Sequence, residues 1–274
     1  MYETETETET VLSICEQPAS TILVGDCRLV MPCLSSLKFD CIFADPPFNF
    51  GESYSQWSDT LTRREYLKFT EEWLAACVRL LSAQGSLWVN CPNEVAARIV
   101  VFAEDGQGLT LANWCIWHYR FGQWTDRGFI RSKTHALHFV RDKSMAIWNP
   151  DSVLVPSDRS AKYGDSRTKQ SKRPGLRVPL DVWGVESDGP YWGRVQGNNK
   201  ERSPLHSNQL PEKYIERAIR STTRKDSLFF TPFVGSGTEM VVARALGLVS
   251  YGAEIGVKEA KSAFDRIKRG SVRL

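Results

Sequence analysis

Asp45, Pro46, Pro47 and Phe48 follow directly on the apolar run Phe39–Ala44 of a 274-residue chain. An acid at the carboxyl end of a strand stands where open α/β sheets bind ligands. Proline fixes φ and carries no N–H, so the carbonyls of Asp45 and Pro46 become rigid acceptors. Side by side, a carboxylate and a fixed carbonyl can receive the two hydrogens of an exocyclic amino group, while Phe48 offers a face for stacking. A Pro-rich turn that merely ends a strand would explain the prolines but not the acid, the aromatic and Asn49 beside them.

A second corner lies at Phe233-Val234-Gly235-Ser236-Gly237-Thr238, where a strand-like run passes through a glycine turn into a helix-like one. Such a turn leaves backbone N–H groups and a positive helix end free for a ligand. Glu254, 19 residues beyond Gly235, closes the next strand-like run, where an acid can accept hydrogen bonds from both hydroxyls of a ribose. A dinucleotide site would place a third glycine where this chain has Met240. Adenosine without a pyrophosphate, as in S-adenosylmethionine, therefore fits better than NAD.

The elements that must position these corners alternate. Residues 20–26 and 39–45 read as buried strands, and 62–82 as an amphipathic helix closed by Gly85. A strand at 86–90, a helix near 93–104 and strand-like runs at 111–119 and 135–140 follow. From about 150 to 205 the apolar periodicity gives way to Pro, Gly, Ser, Asn and basic residues. Regularity resumes with a helix starting at Pro211, a strand at 227–231, a helix near 237–246, a strand at 248–254 and a final helix. Strands alternating with helices imply an α/β fold with a mostly parallel sheet. The opening stretch, 1–18, alternates Glu and Thr at its start and reads as a disordered acidic tail.

Composition adds limits. With 42% hydrophobic and 24% charged residues, the chain can bury a sizeable core. No apolar run reaches the roughly 18 residues of a membrane helix, and the acidic start is unlike a signal peptide. The seven cysteines show no C-x-x-C spacing and read as buried free thiols of a reducing, cytoplasmic compartment. His135 and His138 fall on opposite faces of their strand, so no metal site is expected. The net charge is only +3, but residues 118–177 hold thirteen Lys or Arg against five Asp, interleaved with Tyr119, Phe121, Trp124, Phe129, Phe139, Trp148 and Tyr163. Cations that neutralise phosphates beside aromatics suit a nucleic-acid surface; a solvated loop is the plainer alternative.

Together the two corners resemble the amino-group DNA methyltransferases, whose signatures are Asp/Asn/Ser-Pro-Pro-Tyr/Phe and Phe-x-Gly-x-Gly-Thr. The catalytic corner precedes the cofactor corner, with a basic segment between them, as in the β arrangement of that family. Gly25-Asp26 is similar to the element beside the cofactor adenine, and residues 206–219 resemble a His-Pro-Thr-Gln-Lys-Pro segment that helps hold the methionine end. Within it Gln209 and Pro211 match, while Ser207, Asn208 and Leu210 depart. The resemblance implies a Rossmann-like, S-adenosylmethionine-dependent methyltransferase fold with circularly permuted motif order. It divides the chain into a catalytic half (19–145), a basic target-recognition insertion (146–205) and a cofactor-binding half (206–274). Asp45, Pro46, Pro47 and Phe48 would act on a flipped base, and Asp26, Asp45, Gln209, Phe233, Gly235, Ser236, Gly237, Thr238 and Glu254 would hold the cofactor. Site-specific transfer to adenine N6 in DNA is the implied reaction, commonly in a restriction-modification setting, because an acid at the first signature position favours adenine. N4 of cytosine, an NAD-dependent oxidoreductase and a non-catalytic DNA-binding relative are the alternatives. Enzymes of this kind often form homodimers, a state the sequence does not select.

Overall fold

A computed structural model describes residues 11–14, 18–120, 122–185, 192–206 and 208–274. Phe121 and Ser207, singled out above, lie outside the described residues, as do Cys15 and positions 1–10 of the expected tail. Strands β1 (Val11–Ile14) and β2 (Ser20–Val24) precede the short helix α1 (Cys27–Cys33) and strand β3 (Phe39–Ala44). Helix α2 (Arg63–Leu80), β4 (Leu81–Cys91), α3 (Asn93–Val101), β5 (Thr110–His118) and β6 (Lys133–Val140) follow. The basic segment contributes β7 (Val155–Pro156), the single turn α4 (Asp158–Ala161), β8 (Leu176–Arg177) and β9 (Val182–Trp183). The last part runs α5 (Glu212–Thr222), β10 (Leu228–Thr231), α6 (Thr238–Ala245), β11 (Val249–Glu254) and α7 (Val257–Arg269).

Nine strands form one sheet in the order β1-β2-β11-β10-β3-β4-β6-β5-β9. The five from β2 to β4 in that order are parallel; β6 runs antiparallel beyond them, and β5 antiparallel to β6. β3 sits near the middle, and Phe39, Cys41, Ile42, Phe43 and Ala44 are all buried, as a strand covered on both faces requires. Ile42 and Ala44 point into a core with α1, α2 and α3; Cys41 and Phe43 point into one with α5 and α6. A third cluster joins α6 and α7 to β1 and β2.

Local signals account for the helix on the first face. The Thr62 side chain accepts from the Glu65 amide, and Glu65 accepts back from the Thr62 amide at 2.9 Å, a capping box that starts α2. Tyr66, Phe69, Trp73, Cys77 and Leu80 then recur at helical spacing and are buried. The helix expected over 62–82 and closed by Gly85 stops at Leu80, and Leu81 already pairs with Phe39. Gly85 serves the sheet instead, since a Cβ there would come within 2.8 Å of the Phe39 carbonyl oxygen.

Two other expectations need correction. Within the expected tail, Val11–Ile14 pairs antiparallel with β2 as an edge strand, because Leu12 and Ile14 give it an apolar side to set against α7. Cys33 is exposed at the end of α1, whereas Cys27, Cys41, Cys77, Cys91 and Cys115 are buried free thiols. Among the described residues no helix is long and apolar enough to cross a membrane. Ile14→Ala, which empties the contact of β1 with the Ile22–Ile267 cluster, is expected to cost about 2 kcal/mol in urea denaturation. No measurable loss would show that the edge strand does not contribute to stability.

Candidate active site

Strand parity builds the first corner. Ala44 pairs with Val89, so the next residues along, Asp45 and Asn90, fall together on the face that Phe43 and Trp88 share with α5. Asn90 Nδ2 donates to Asp45 Oδ1 at 2.7 Å, and Tyr214 of α5 donates its hydroxyl to Asn90 Oδ1 at 3.0 Å. Tyr214 is fully buried among Phe43, Trp117 and Trp183, with ring centroids 5.9, 5.2 and 5.7 Å away. Burial pushes the Asp45 carboxyl up to about 7, while the Asn90 hydrogen bond works the other way by favouring the ionised form. On the α2 side, the Tyr66 hydroxyl donates to the Pro47 carbonyl at 2.8 Å.

The chain leaves this corner through Asn49, at φ 59°, whose side chain bonds both the amide and the carbonyl of Leu61. Asp59, buried to 3% exposure, accepts from the amides of Asn49, Phe50 and Glu52 at 2.9, 2.9 and 3.0 Å. Its carboxylate therefore shapes the loop that carries Phe48 and Phe50, whose rings meet edge to face at 5.8 Å. Further along, Ser55 reaches across to Glu259 of α7 at 2.8 Å. The loop thus bridges the two halves of the site.

At the second corner, Gly235 and Gly237 take φ of 48° and 78°, the left-handed region that favours glycine. A Cβ on Gly237 would also lie 3.0 Å from that of Ala263. Glu254 fixes the turn: it accepts from the Gly235 amide at 2.7 Å and from the Gly256 amide at 3.0 Å, leaving further lone pairs on each oxygen. Arg266, buried in α7, donates to the Ser236 carbonyl at 3.1 Å, to Thr238 Oγ1 at 2.7 Å and to Glu212 at 3.2 Å. Met240, in place of a third glycine, turns into the core beside Val234 and Ala263.

Both corners open onto one cavity of about 850 Å³. Asp26, Asp45, Pro46, Pro47, Phe48, Gln209, Phe233, Gly235, Ser236 and Glu254 line it; Gly237 and Thr238 do not. Thr238 instead ties the turn to Arg266. Gln209 faces the cavity, but its amide accepts from Ser203 N at 2.8 Å and donates to the Glu201 carbonyl at 2.7 Å, so it holds its own loop. Asp26 caps α1; burial opposes its charge, yet hydrogen bonds from Arg28 outweigh this and hold the carboxyl below its usual range. His135 bonds Asn93 and Trp114, His138 bonds Ser86 and Asn113, and neither joins the cavity.

An adenosine-bearing methyl donor fits these residues. Glu254 is held rigid at the strand end by the Gly235 and Gly256 amides, and the volume suits a ligand of that size. Arg266, Asp59, Asn90 and Tyr214 were not found from the sequence. Each acts through a partner 10 or more residues away, which no local pattern records.

Residues 39–265 match the family model described as DNA methylase, that of the N6/N4 methyltransferases, and the chain belongs to this family. It is 28% identical to the Type II methyltransferase M.HpaI of Haemophilus parainfluenzae, over 85% of this chain and 69% of that one. It is 27% identical to the DNA adenine methyltransferase YhdJ of Escherichia coli K12, over 91% of this chain and 83% of that one. Among solved structures, the M1.HpyAVI–SAM complex aligns with TM-score 0.59 at 19% identity, covering 90% and 99% of the two chains. The cytosine-N4-specific PvuII DNA methyltransferase aligns with TM-score 0.66 at 15% identity, covering 92% and 93%. The fold is the Rossmann-like one of S-adenosylmethionine-dependent methyltransferases, the methyl donor is S-adenosylmethionine, and the substrate is DNA.

The carboxylate form of Asp45 is the one that accepts hydrogen bonds from an amino group. The value of kcat/KM for methyl transfer is therefore expected to rise as pH increases through about 7. Asn90→Leu removes a donor to that form and should move the midpoint upward, with Tyr214→Phe shifting it less in the same direction. An unchanged midpoint in Asn90→Leu would contradict the assignment.

Proposed function

We propose that the protein transfers a methyl group to the N6 amino group of an adenine flipped out of DNA, at a specific site. The observation that carries this reading is the convergence of Asp45, Pro46 and Phe48 with Glu254 and the Gly235–Gly237 turn on one cavity. The Asp45 carboxylate and the Pro46 carbonyl accept the two hydrogens of the target amino group. This draws the nitrogen lone pair out of conjugation with the ring and aims it at the donor's methyl carbon. Phe48 stacks on the extruded base, and the Asp59-braced loop keeps Phe48 in place. Glu254 receives the ribose hydroxyls. S-Adenosylmethionine supplies an already activated methyl group, so the contribution of these residues is mainly orientation and electrostatics. Asp45 need not be a strong base, since the amine sheds its proton readily once methylated.

The basic segment from about 120 to 205 supplies the DNA contacts in this reading. Its charge is less available than the sequence suggests: Arg159 and Arg167 pair with Asp165, Arg173 with Asp151, and Lys162 with Asp158. Arg131 pairs with Glu94, and Arg141 donates to the carbonyl of Val78 in α2 at 2.6 Å. Arg127, Lys133, Lys143, Lys169 and Lys172 make no ion pair among the described residues, Trp124 and Phe129 stand exposed, and Phe129 lines the cavity. Membership of the DNA methylase family argues against the oxidoreductase alternative.

Methylation of genomic DNA followed by single-molecule sequencing is expected to show N6-methyladenine at one recognition sequence. N4-methylcytosine would overturn the choice of base, and no modification would overturn the activity. Asp45→Ala should lower kcat at least about a hundredfold while S-adenosylhomocysteine still binds. Full activity in that variant would contradict the mechanism.

A further inference from the structure

Glu239, in the first turn of α6, lines the same cavity and is otherwise unused. Its side chain is only 4% exposed. Among the described residues no other residue donates a hydrogen bond to it; its own amide is the one donor it has. Arg266 is close enough to be felt electrostatically, but its guanidinium is spent on Ser236, Thr238 and Glu212. Burial, with the nearby Asp45 charge adding to it, pushes the Glu239 carboxyl up to about 8. A buried acid left in this condition inside a ligand cavity calls for a cation from the ligand.

Resting on the reading of this cavity as the donor site, we propose that Glu239 receives the α-ammonium group of the donor's methionine moiety. The donor carries two positive centres and one carboxylate. Transfer requires the sulfonium to face the Asp45–Pro46 corner, which leaves the amino-acid end for the glycine turn and the start of α6. There the positive end of an eight-residue helix suits the carboxylate, and Glu239 suits the ammonium beside it. The Phe-x-Gly-x-Gly-Thr signature ends one residue earlier, at Thr238, so this contact lies outside it.

Calorimetric binding of three ligands tests the assignment: S-adenosylmethionine, S-adenosylhomocysteine, which keeps the ammonium but lacks the sulfonium, and methylthioadenosine, which lacks both. Glu239→Gln is expected to weaken the first two roughly tenfold to a hundredfold and to leave methylthioadenosine unchanged. Glu239→Met, of similar volume, should give the same pattern, and melting curves without ligand should show both variants folded. Unchanged affinities, a loss shared equally by methylthioadenosine, or a loss confined to S-adenosylmethionine would each overturn the proposal. The last result would place the carboxylate on the sulfonium. Failure of the wild-type protein to bind any of the three would overturn the donor-site reading as well, and is distinguishable from the other results on that ground.

Discussion

A carboxylate at the end of a buried strand needs partners that stabilise it without occupying it. Asp45 meets that constraint with an uncharged donor, Asn90, itself oriented by the hydroxyl of Tyr214. An arginine in that place would hold the carboxyl low but also fill its oxygens, as Arg28 does for Asp26 by three hydrogen bonds of 2.6 to 3.1 Å. The two acids line one cavity and differ in environment: one ion-paired and capping a helix, the other pushed up to about 7 by burial. Much of the surrounding architecture serves this arrangement. The parity of β3 and β4 brings Asp45 and Asn90 to one face, and the aromatic cluster around Tyr214 excludes water from their far side.

The second corner relies on the same economy. Glu254 is oriented by two backbone amides and not by a cation, so its oxygens keep acceptor capacity toward the cavity. The buried guanidinium of Arg266 is turned onto the outside of the glycine turn, where it binds Ser236 and Thr238 and is balanced by Glu212. The cavity is rich in carboxylates, and of the cations that line it Arg131 is exposed while Lys133 and Arg194 are half-buried.

How much of this was legible in the sequence depends on how local each feature is. Residues 45–48 and 233–238 are contiguous, and Glu254 follows at the next strand end, so the two corners and the α/β class could be read directly. Helix α2 was visible from its apolar spacing, but its end was not, because Gly85 answers to the Phe39 carbonyl across the sheet. Asp59, Asn90, Tyr214 and Arg266 escaped notice for the same reason: their partners are distant in sequence, and an acid in a loop or an arginine in a terminal helix looks like surface. Charge counting set thirteen cations against five Asp but could not show which of them pair: Asp151 takes Arg173, Asp158 takes Lys162, Asp165 takes Arg159 and Arg167, and Glu94, outside the segment, takes Arg131.

The convergence of the two corners is tested most directly by a crystal structure of the protein with S-adenosylhomocysteine. The ribose hydroxyls are expected on Glu254, with the sulfur turned toward Asp45 and Pro46. Adenosine bound away from Glu254, or a sulfur facing away from Asp45, would contradict a shared site for donor and target base.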